Sequence, residues 1–344
     1  MTRHTCALLA AFFPAAIAAQ TGHVTGYIVD RESGQPLSYG IVDIETIGRS
    51  MFTNDSGWFL FRSVSAAKYT LHARRLGYKP RDIDIQVRDG ATDTLRVELT
   101  HVAVTLNPVD VKAYPPCLKP GAPSYEADST LSAVVDQIRL NAEQYKFLAD
   151  QYPYVYTSIV TRSSKLRRNG KVVRDPGSID RYESRSKSLY EPGGVIQQRG
   201  KIQYFQVPTL VEVADKAFVD AHCWHWGGTE TIDDEELIRA DVVAFDSLKG
   251  PDVNGSFLVN SATFQIRRSI IHLSRSPRQL PELLDMEVTT DFFEVLPSIP
   301  IISHIYSVQS MNPARKSLVS EAYEEHRSTE LRWVGRKPGE TKQP

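Results

Sequence analysis

Short runs of alternating apolar and polar residues, separated by turn-forming residues, follow one another through residues 21–113. An alternation with a period of two turns one face of a β-strand toward a core and the other toward solvent. Gly, Pro, Asp and Asn separate the runs, and the helical period of 3.6 residues does not occur. The pattern predicts an antiparallel β-sandwich with strands at residues 23–29, 41–46, 58–61, 69–73, 83–87, 94–99 and 109–111.

Several residues in these runs have an expected structural role. Gly57 and Gly77 follow turn residues and suit backbone corners with a positive φ angle, which glycine adopts without steric cost. Trp58, Phe59 and Phe61 alternate between the two faces of one strand and are expected to fill the core. These landmarks serve folding, and none of them is a nucleophile, a metal ligand or a phosphate-binding loop.

The order and spacing of five segments carry a family resemblance. The segments are Gly26–Asp30, Gly34–Leu37, Asp55–Phe59, Tyr69–Leu71 and Gly77-Tyr78. Their arrangement resembles the carboxypeptidase regulatory-like domain, a transthyretin-like sandwich. The chain departs from that family at Ala66-Ala67, where a glycine is usual. The resemblance implies a folding or docking module, and the alternative is an exposed loop that grips a glycan or a peptide.

A proline-rich stretch at residues 114–126 is expected to be a linker to a second domain over residues 127–344. The second domain begins with apolar residues at helical spacing, namely Leu131, Val134, Val135 and Ile138. This spacing predicts a helix from Leu131 to about Leu148, with Ser129 or Thr130 as its cap.

Beyond the helix the sequence returns to strand patterning, and Arg168-Asn-Gly170 is a hairpin turn signal. The strand-like runs are residues 154–160, 172–173, 237–245, 255–259, 264–271, 286–292 and 301–308. We therefore predict a mainly β chain, in which the sandwich is followed by an α+β domain with a curved antiparallel sheet and one long helix.

The second domain also carries a resemblance. Cys117, Ala217–Trp224, Val253–Val259 and Thr263–Arg267 are similar to the C-terminal part of exported proteins that begin with a carboxypeptidase regulatory-like domain. The succession of strands also looks like the half-barrel of periplasmic lipoprotein carriers. The second likeness implies an apolar ligand, such as a lipid, in the curved sheet. Asp246-Ser247 departs from the first pattern, which usually has an acid followed by proline there.

Residues 1–19 have the pattern of a cleaved signal peptide. Arg3 begins a short basic region, Cys6–Ile17 is almost wholly apolar, and Ala16-Ile17-Ala18 places small residues at a cleavage site. This predicts a periplasmic or extracellular protein whose mature chain has no transmembrane segment. Because 40 Lys and Arg are offset by 41 Asp and Glu, the composition shows no excess of positive charge that would indicate nucleic-acid binding.

Two cysteines, Cys117 and Cys223, remain once the leader is removed. In an oxidising compartment a single pair most simply forms a disulfide, which stabilises by about 4–5 kcal/mol for a loop of this length in the chain-entropy model. Two free thiols and a metal site are the alternatives.

The densest group of candidate site residues is His222-Cys223-Trp224-His225. On a strand, His222 and Trp224 face one way and Cys223 and His225 the other, so at most two of them can share a metal ion. Glu324-Glu-His326 lacks the second histidine of a zinc-peptidase motif, and no serine-hydrolase Gly-x-Ser-x-Gly is present. Asp233–Glu236 is expected to be a solvated acidic turn. We predict no catalytic, cofactor or metal residues.

Three functional hypotheses follow. The leading one is a non-enzymatic protein that binds an envelope protein or a glycan, or assists envelope assembly. The second is a carrier of an apolar ligand between the helix and the sheet. The third is a hydrolase, which requires His222 or His225 within hydrogen-bond reach of a carboxylate in a cleft. The basic cluster Lys165–Arg168 is expected to be a solvated hairpin end.

Overall fold

The computed structural model describes residues 20–105, 116–199 and 202–340. The first part of the chain is a sandwich of seven strands. They are β1 (Thr21–Asp30), β2 (Ile41–Ile44), β3 (Arg49–Phe52), β4 (Trp58–Ser65), β5 (Lys68–Arg74), β6 (Arg81–Gln86) and β7 (Thr92–Leu99). Six of these strands match predicted runs. β3 was not predicted, and the strand expected at residues 109–111 lies outside the described residues.

The sandwich consists of one sheet in the order β4-β1-β7 and another in the order β3-β2-β5-β6. The prediction of an antiparallel sandwich holds except for one pair, because β1 and β7 run parallel. Phe59 and Phe61 are buried in the core, while Trp58 on the other face of β4 is half-buried. Gly57 has φ +71°, and a Cβ atom there would lie 2.6 Å from the Ile28 carbonyl oxygen.

The second part contains helices α1 (Ser129–Gln151), α2 (Leu210–Val213) and α3 (Lys216–Asp220). Its strands are β8 (Tyr154–Leu166), β9 (Val172–Arg174), β10 (Ser178–Glu183), β11 (Ile196–Arg199), β12 (Ile202–Phe205), β13 (His222–Ile232), β14 (Glu235–Ala244), β15 (Val253–Asn260), β16 (Ile266–Leu273), β17 (Leu283–Leu296), β18 (Ile299–Met311) and β19 (Val319–Trp333). All but β11 and β12 form one ten-stranded antiparallel sheet, in the order β10-β8-β19-β18-β17-β16-β15-β14-β13 with β9 beside β8.

The helix begins differently from the sequence-based expectation. Asp128, rather than Ser129 or Thr130, is the N-cap residue, because it is extended and its carboxylate accepts a hydrogen bond of 2.8 Å from the backbone N of Leu131. Asp is as good a cap as Ser, since its short side chain reaches the free backbone N–H groups of the first turn. The helix therefore begins at Ser129, two residues before the predicted Leu131, and it ends at Gln151, three residues after the predicted Leu148.

Helix α1 lies between the sandwich and the large sheet. Val134 and Ile138 belong to a core shared with Val242 and Phe257 of the sheet. On another side, Phe147 packs edge-to-face against Phe52 of β3 at 4.7 Å between ring centroids. Contacts on both sides bury most of the helix surface, and this explains why its stripe of polar residues is also buried.

The polar stripe is held by the backbone of its neighbours. Asn141 donates from Nδ2 to the Phe264 carbonyl at 2.8 Å and accepts from the Ile266 backbone N at 3.0 Å. Gln137 accepts from the backbone N of Gly77 at 2.7 Å. Gly77 has the positive φ that its position predicted, +82°. These amide groups fix α1 to both of its neighbours.

Cys117 and Cys223 form a disulfide with Cα atoms 5.5 Å apart. It joins the segment before α1 to the start of β13. The Gly121 backbone N also donates to the His222 carbonyl there, at 2.9 Å. Within the described ranges, no helix combines the length and the apolar composition needed to cross a membrane.

Candidate functional site: a cleft between the sandwich and the helix

A cavity of about 710 Å³ lies where the sandwich meets α1. One wall comes from the end of β5, the loop before β6 and the segment after β7, and the other comes from the exposed side of α1. Its lining includes Arg74, Lys79, Pro80, Val102, Ala103, Thr105, Tyr125, Ser129, Ala133, Asp136, Arg139, Leu140 and Glu143. Its volume falls in the range of small-ligand sites in proteins, roughly 300–1,000 Å³. We call it the interdomain cleft.

Arg74 closes one end of the interdomain cleft. Its guanidinium donates to Asp43 on β2 at 2.6 Å and to Glu143 on α1 at 2.7 Å. Arg74 therefore bridges the two walls of the cleft. The hydrogen bond from the Gly77 backbone N to Gln137 is a second link between the sandwich and α1. A second, more open cavity of about 670 Å³ lies beyond this bridge and shares Arg74 and Glu143 with the first.

The charges of the interdomain cleft are unequally engaged. Asp136 accepts a hydrogen bond of 2.8 Å from the Tyr125 hydroxyl, and burial together with this bond raises the pKa of Tyr125 to about 12. Glu143 is bound to Arg74. Arg139, in contrast, approaches only Asp136, at 4.0 Å, and its Nε is a buried donor without a partner in the described residues. The exposed Lys79 adds a second cation at the opening.

One cavity between α1 and the sheet measures about 100 Å³. It is lined by Tyr145 of α1, by Tyr154 and Tyr156, and by residues of β17 to β19. This volume is well below that of typical ligand sites, so this cavity does not support the hypothesis of an apolar ligand between helix and sheet.

His222 is a fully buried residue at the start of β13. Its Nδ1 lies 2.7 Å from the Phe218 carbonyl and its Nε2 3.0 Å from the Val253 carbonyl, while Asp252 Oδ1 is 3.7 Å away. Burial lowers the pKa of His222, against the opposing effects of Asp252 and the two carbonyls. The ring is thus used to join α3, β13 and β15, and no substrate can reach it in this conformation.

His225 lies on the opposite face of β13 and pairs in register with Asp241 of β14. Asp241 is buried, and its Oδ1 accepts hydrogen bonds from Ser256 Oγ and from Arg239 Nε, the latter at 2.8 Å. Burial lowers the pKa of His225, and Asp241 opposes this effect. One oxygen of this carboxylate is therefore engaged by Arg239 of the same strand and Ser256 of β15, while Oδ2 is buried without a hydrogen-bond partner in the described residues.

The two acidic motifs have roles in the sheet. Asp233 and Asp234 form the two-residue turn between β13 and β14, both with positive φ, and Glu235 pairs with Arg267 at 2.8 Å. Glu324 and His326 lie on β19, where Glu324 pairs with both Arg162 and His326 at 2.6 Å. In the part of the chain that the structure describes, three or more His, Cys, Asp or Glu residues are nowhere grouped as metal ligands would be.

The sandwich matches a known family model over residues 23–100. These residues form a carboxypeptidase regulatory-like domain. The match covers the strands β1 to β7, and the elements that carried the resemblance, such as Gly57 and Gly77, occupy the backbone corners expected of them. The family resemblance inferred from the sequence is confirmed for this part of the chain.

No curated protein matches the sequence of the chain. Among solved structures, a type II cohesin–X–dockerin complex from Acetivibrio cellulolyticus is 20% identical with a TM-score of 0.21, and the match covers 23% of this chain and 58% of that one. A LolA superfamily protein from Nitrosomonas europaea is 11% identical with a TM-score of 0.31, covering 56% of this chain and 92% of that one. A putative outer membrane lipoprotein-sorting protein domain from Vibrio parahaemolyticus is 9% identical with a TM-score of 0.32, covering 59% and 95%.

The residues of the interdomain cleft were not among the candidates found in the sequence. Lys79 follows the Gly77-Tyr78 corner of the regulatory-like domain, and Arg139 lies on the polar side of α1, which sequence alone assigns to solvent. Gln137, Asn141 and Gln144 form an amide stripe at helical spacing. Such a stripe is the usual solvent-facing side of an amphipathic helix, so the sequence gives no signal that α1 has a second packing partner.

Proposed function

We propose that this chain is an exported, non-enzymatic binding protein that holds its ligand in the interdomain cleft. The observation that carries the proposal is the cavity of about 710 Å³ whose walls come from the regulatory-like domain and from α1. Clefts between domains are common ligand sites because two surfaces can surround a ligand that neither surface would bury alone.

The charges of the cleft support a ligand with a negative group. Asp136 and Glu143 are already engaged by Tyr125 and Arg74, so their charge is partly satisfied within the protein. Arg139 and Lys79 carry the remaining positive charge. The Arg139 guanidinium is partly exposed, and its planar set of N–H donors is suited to a carboxylate, sulfate or phosphate oxygen. An acidic glycan or a short acidic peptide fits this chemistry.

Two observations support the non-enzymatic and exported parts of the proposal. The carboxylates in the cleft are held by neighbouring donors, an arrangement that serves binding better than proton transfer. The Cys117–Cys223 disulfide closes a separation of 106 residues and is suited to an oxidising compartment such as the periplasm.

The test is a cavity-filling substitution. Ala133 lines the cleft, so Ala133→Trp places an indole in the space of the ligand. The probes are muramyl dipeptide, hexagalacturonate and triglutamate, with maltohexaose as the uncharged comparison, and binding is measured by calorimetry. We expect an anionic probe to bind the natural protein and to bind Ala133→Trp at least about tenfold more weakly.

Gln151→Trp is the matched control, because Gln151 is an exposed residue at the end of the same helix. It should bind the probe as the natural protein does, and both variants should keep the natural circular dichroism spectrum. The proposal is wrong if no probe binds, or if the two tryptophan variants bind equally well.

A further inference from the structure

Two neighbouring hairpin ends lie at one end of the large sheet. One is the turn of residues 167–171 between β8 and β9, and the other is the loop of residues 312–318 between β18 and β19. They are adjacent because β8 pairs with β19 up to Leu166 and Val319. We call residues 165–175 and 312–321 together the basic tip.

Arg167 binds the two hairpin ends to each other. Its backbone N donates to the Leu318 carbonyl at 2.9 Å, and its guanidinium donates to the carbonyls of Ser317 and Asn312 at 3.2 and 3.3 Å. One arginine thus satisfies several carbonyls of the opposite loop. The basic tip is a connected surface, and its other side chains project from a common base.

The basic tip has a large excess of positive charge. Its two segments contain seven Lys and Arg residues and only two acids, Asp175 and Glu321, in a chain whose formal net charge is −1. Lys165 pairs with Glu321 at 3.0 Å, and Arg167 is engaged by carbonyls. Five exposed cations remain: Arg168, Lys171, Arg174, Arg315 and Lys316. The adjoining start of β17 adds Glu282 and Asp285, which leaves this end of the sheet positive.

Large apolar side chains project between these cations. Leu318 is 86% exposed, and Val172 and Val173 are 41% and 42% exposed. An aliphatic side chain that is held in water by a hairpin gains free energy by entering an apolar phase. A nucleic-acid phosphate backbone or an acidic protein surface can pair with the cations but offers no apolar phase for these aliphatic side chains.

We propose that the basic tip binds the surface of an anionic lipid membrane. The five exposed cations lie against the phosphate groups, and Leu318 with Val172 and Val173 enters the boundary between headgroups and acyl chains. Each Lys or Arg near an anionic surface strengthens binding by about fivefold, and an inserted aliphatic residue adds to this.

The test measures sedimentation with vesicles of phosphatidylcholine containing 30% phosphatidylglycerol, and with vesicles of phosphatidylcholine alone. The natural protein should bind the anionic vesicles, and salt should weaken this binding. Arg168→Glu with Lys316→Glu should lower the partition coefficient by at least about 30-fold, since two cations are lost and two acids are added. Leu318→Ser should lower it by about fivefold while leaving the salt dependence unchanged.

The matched control is Arg31→Glu with Lys68→Glu, two exposed cations of the regulatory-like domain with the same total change in charge. It should bind the anionic vesicles as the natural protein does. Three results overturn the proposal: no binding of the natural protein, equal losses in the tip and control variants, or retention on heparin without binding to vesicles. The last result would assign the basic tip to an acidic macromolecule.

Discussion

Gln137 and Gln144 lie two turns apart on α1, and both side chains are almost fully buried. Gln137 accepts from the backbone N of Gly77, whereas neither polar atom of Gln144 has a hydrogen-bond partner in the described residues. A buried amide without a partner costs free energy that a bonded one does not. The same residue type therefore has opposite effects on stability at two positions of one helix.

This contrast gives a prediction at the scale of single residues. Gln137→Leu should lower the free energy of unfolding by about 2 kcal/mol, because the Gly77 N–H loses its acceptor inside the protein. Gln144→Leu should raise it by about 1 kcal/mol, because a polar group without partners is replaced by an apolar one of similar size. Urea unfolding followed by tryptophan fluorescence measures both. Equal losses in the two variants would contradict this account of the amide stripe.

Strand β19 is the longest of the sheet, and no run in the sequence predicted it. Its residues alternate poorly because both faces of the strand are half-exposed, and its centre, Glu321–Arg327, is rich in charge. Charged residues are accommodated by pairs with the neighbouring strands, such as Arg162 with Glu324 and His304 with Glu325. Pairing partners far apart in sequence give no periodic signal.

The ion pairs of β19 predict a dependence of stability on pH. Although burial opposes it, hydrogen bonds from Arg162 and His326 lower the pKa of Glu324 below its usual 4.5. A carboxyl group with a lowered pKa in the folded state stabilises above the unfolded pKa and loses this contribution as the pH falls below it. Stability should therefore fall between pH 5 and pH 3.

Glu324→Gln should make the fall in the free energy of unfolding between pH 5 and pH 3 smaller by about 0.5 kcal/mol. The effect is small because the ion pair of Glu324 with Arg162 is partly exposed. The measurement is the urea midpoint from pH 3 to pH 6. Glu330→Gln is the control, since this exposed carboxylate of the same strand has no ion pair in the described residues, and its variant should follow the natural pH curve.

Elements with a one-sided environment were predictable from the sequence. The alternation in β1, β4, β5 and β7 reflects one buried face each, and the helical spacing in α1 reflects the apolar side that packs against the large sheet. β3 was missed because its four residues show too little alternation. The burial of the α1 amides was not predicted because the sequence alone does not show that the helix has a second neighbour. The interdomain cleft depends on that second neighbour, so its residues were missed together with it.

At the scale of the whole molecule, the Cys117–Cys223 disulfide restrains a long loop that contains α1. The chain-entropy model predicts that Cys117→Ser with Cys223→Ser lowers the free energy of unfolding by about 4–5 kcal/mol. Denaturant unfolding of the variant and of the natural protein measures this loss. When the native, unreduced protein is treated with an alkylating reagent, intact-mass analysis should show that neither Cys117 nor Cys223 has reacted. Alkylation of both cysteines would contradict the pairing.

Helix α1 contributes to two hydrophobic clusters at once. Leu148 and Tyr152 pack with Tyr39, Ile41 and Phe52 of the regulatory-like domain, while the opposite side of the helix belongs to the core of the large sheet. Recombination that divided the chain at the linker would leave an apolar surface on each fragment. The sandwich has a core of its own, but buried side chains of α1 also pack across the boundary that is visible in the sequence, so the two parts are expected to stabilise each other.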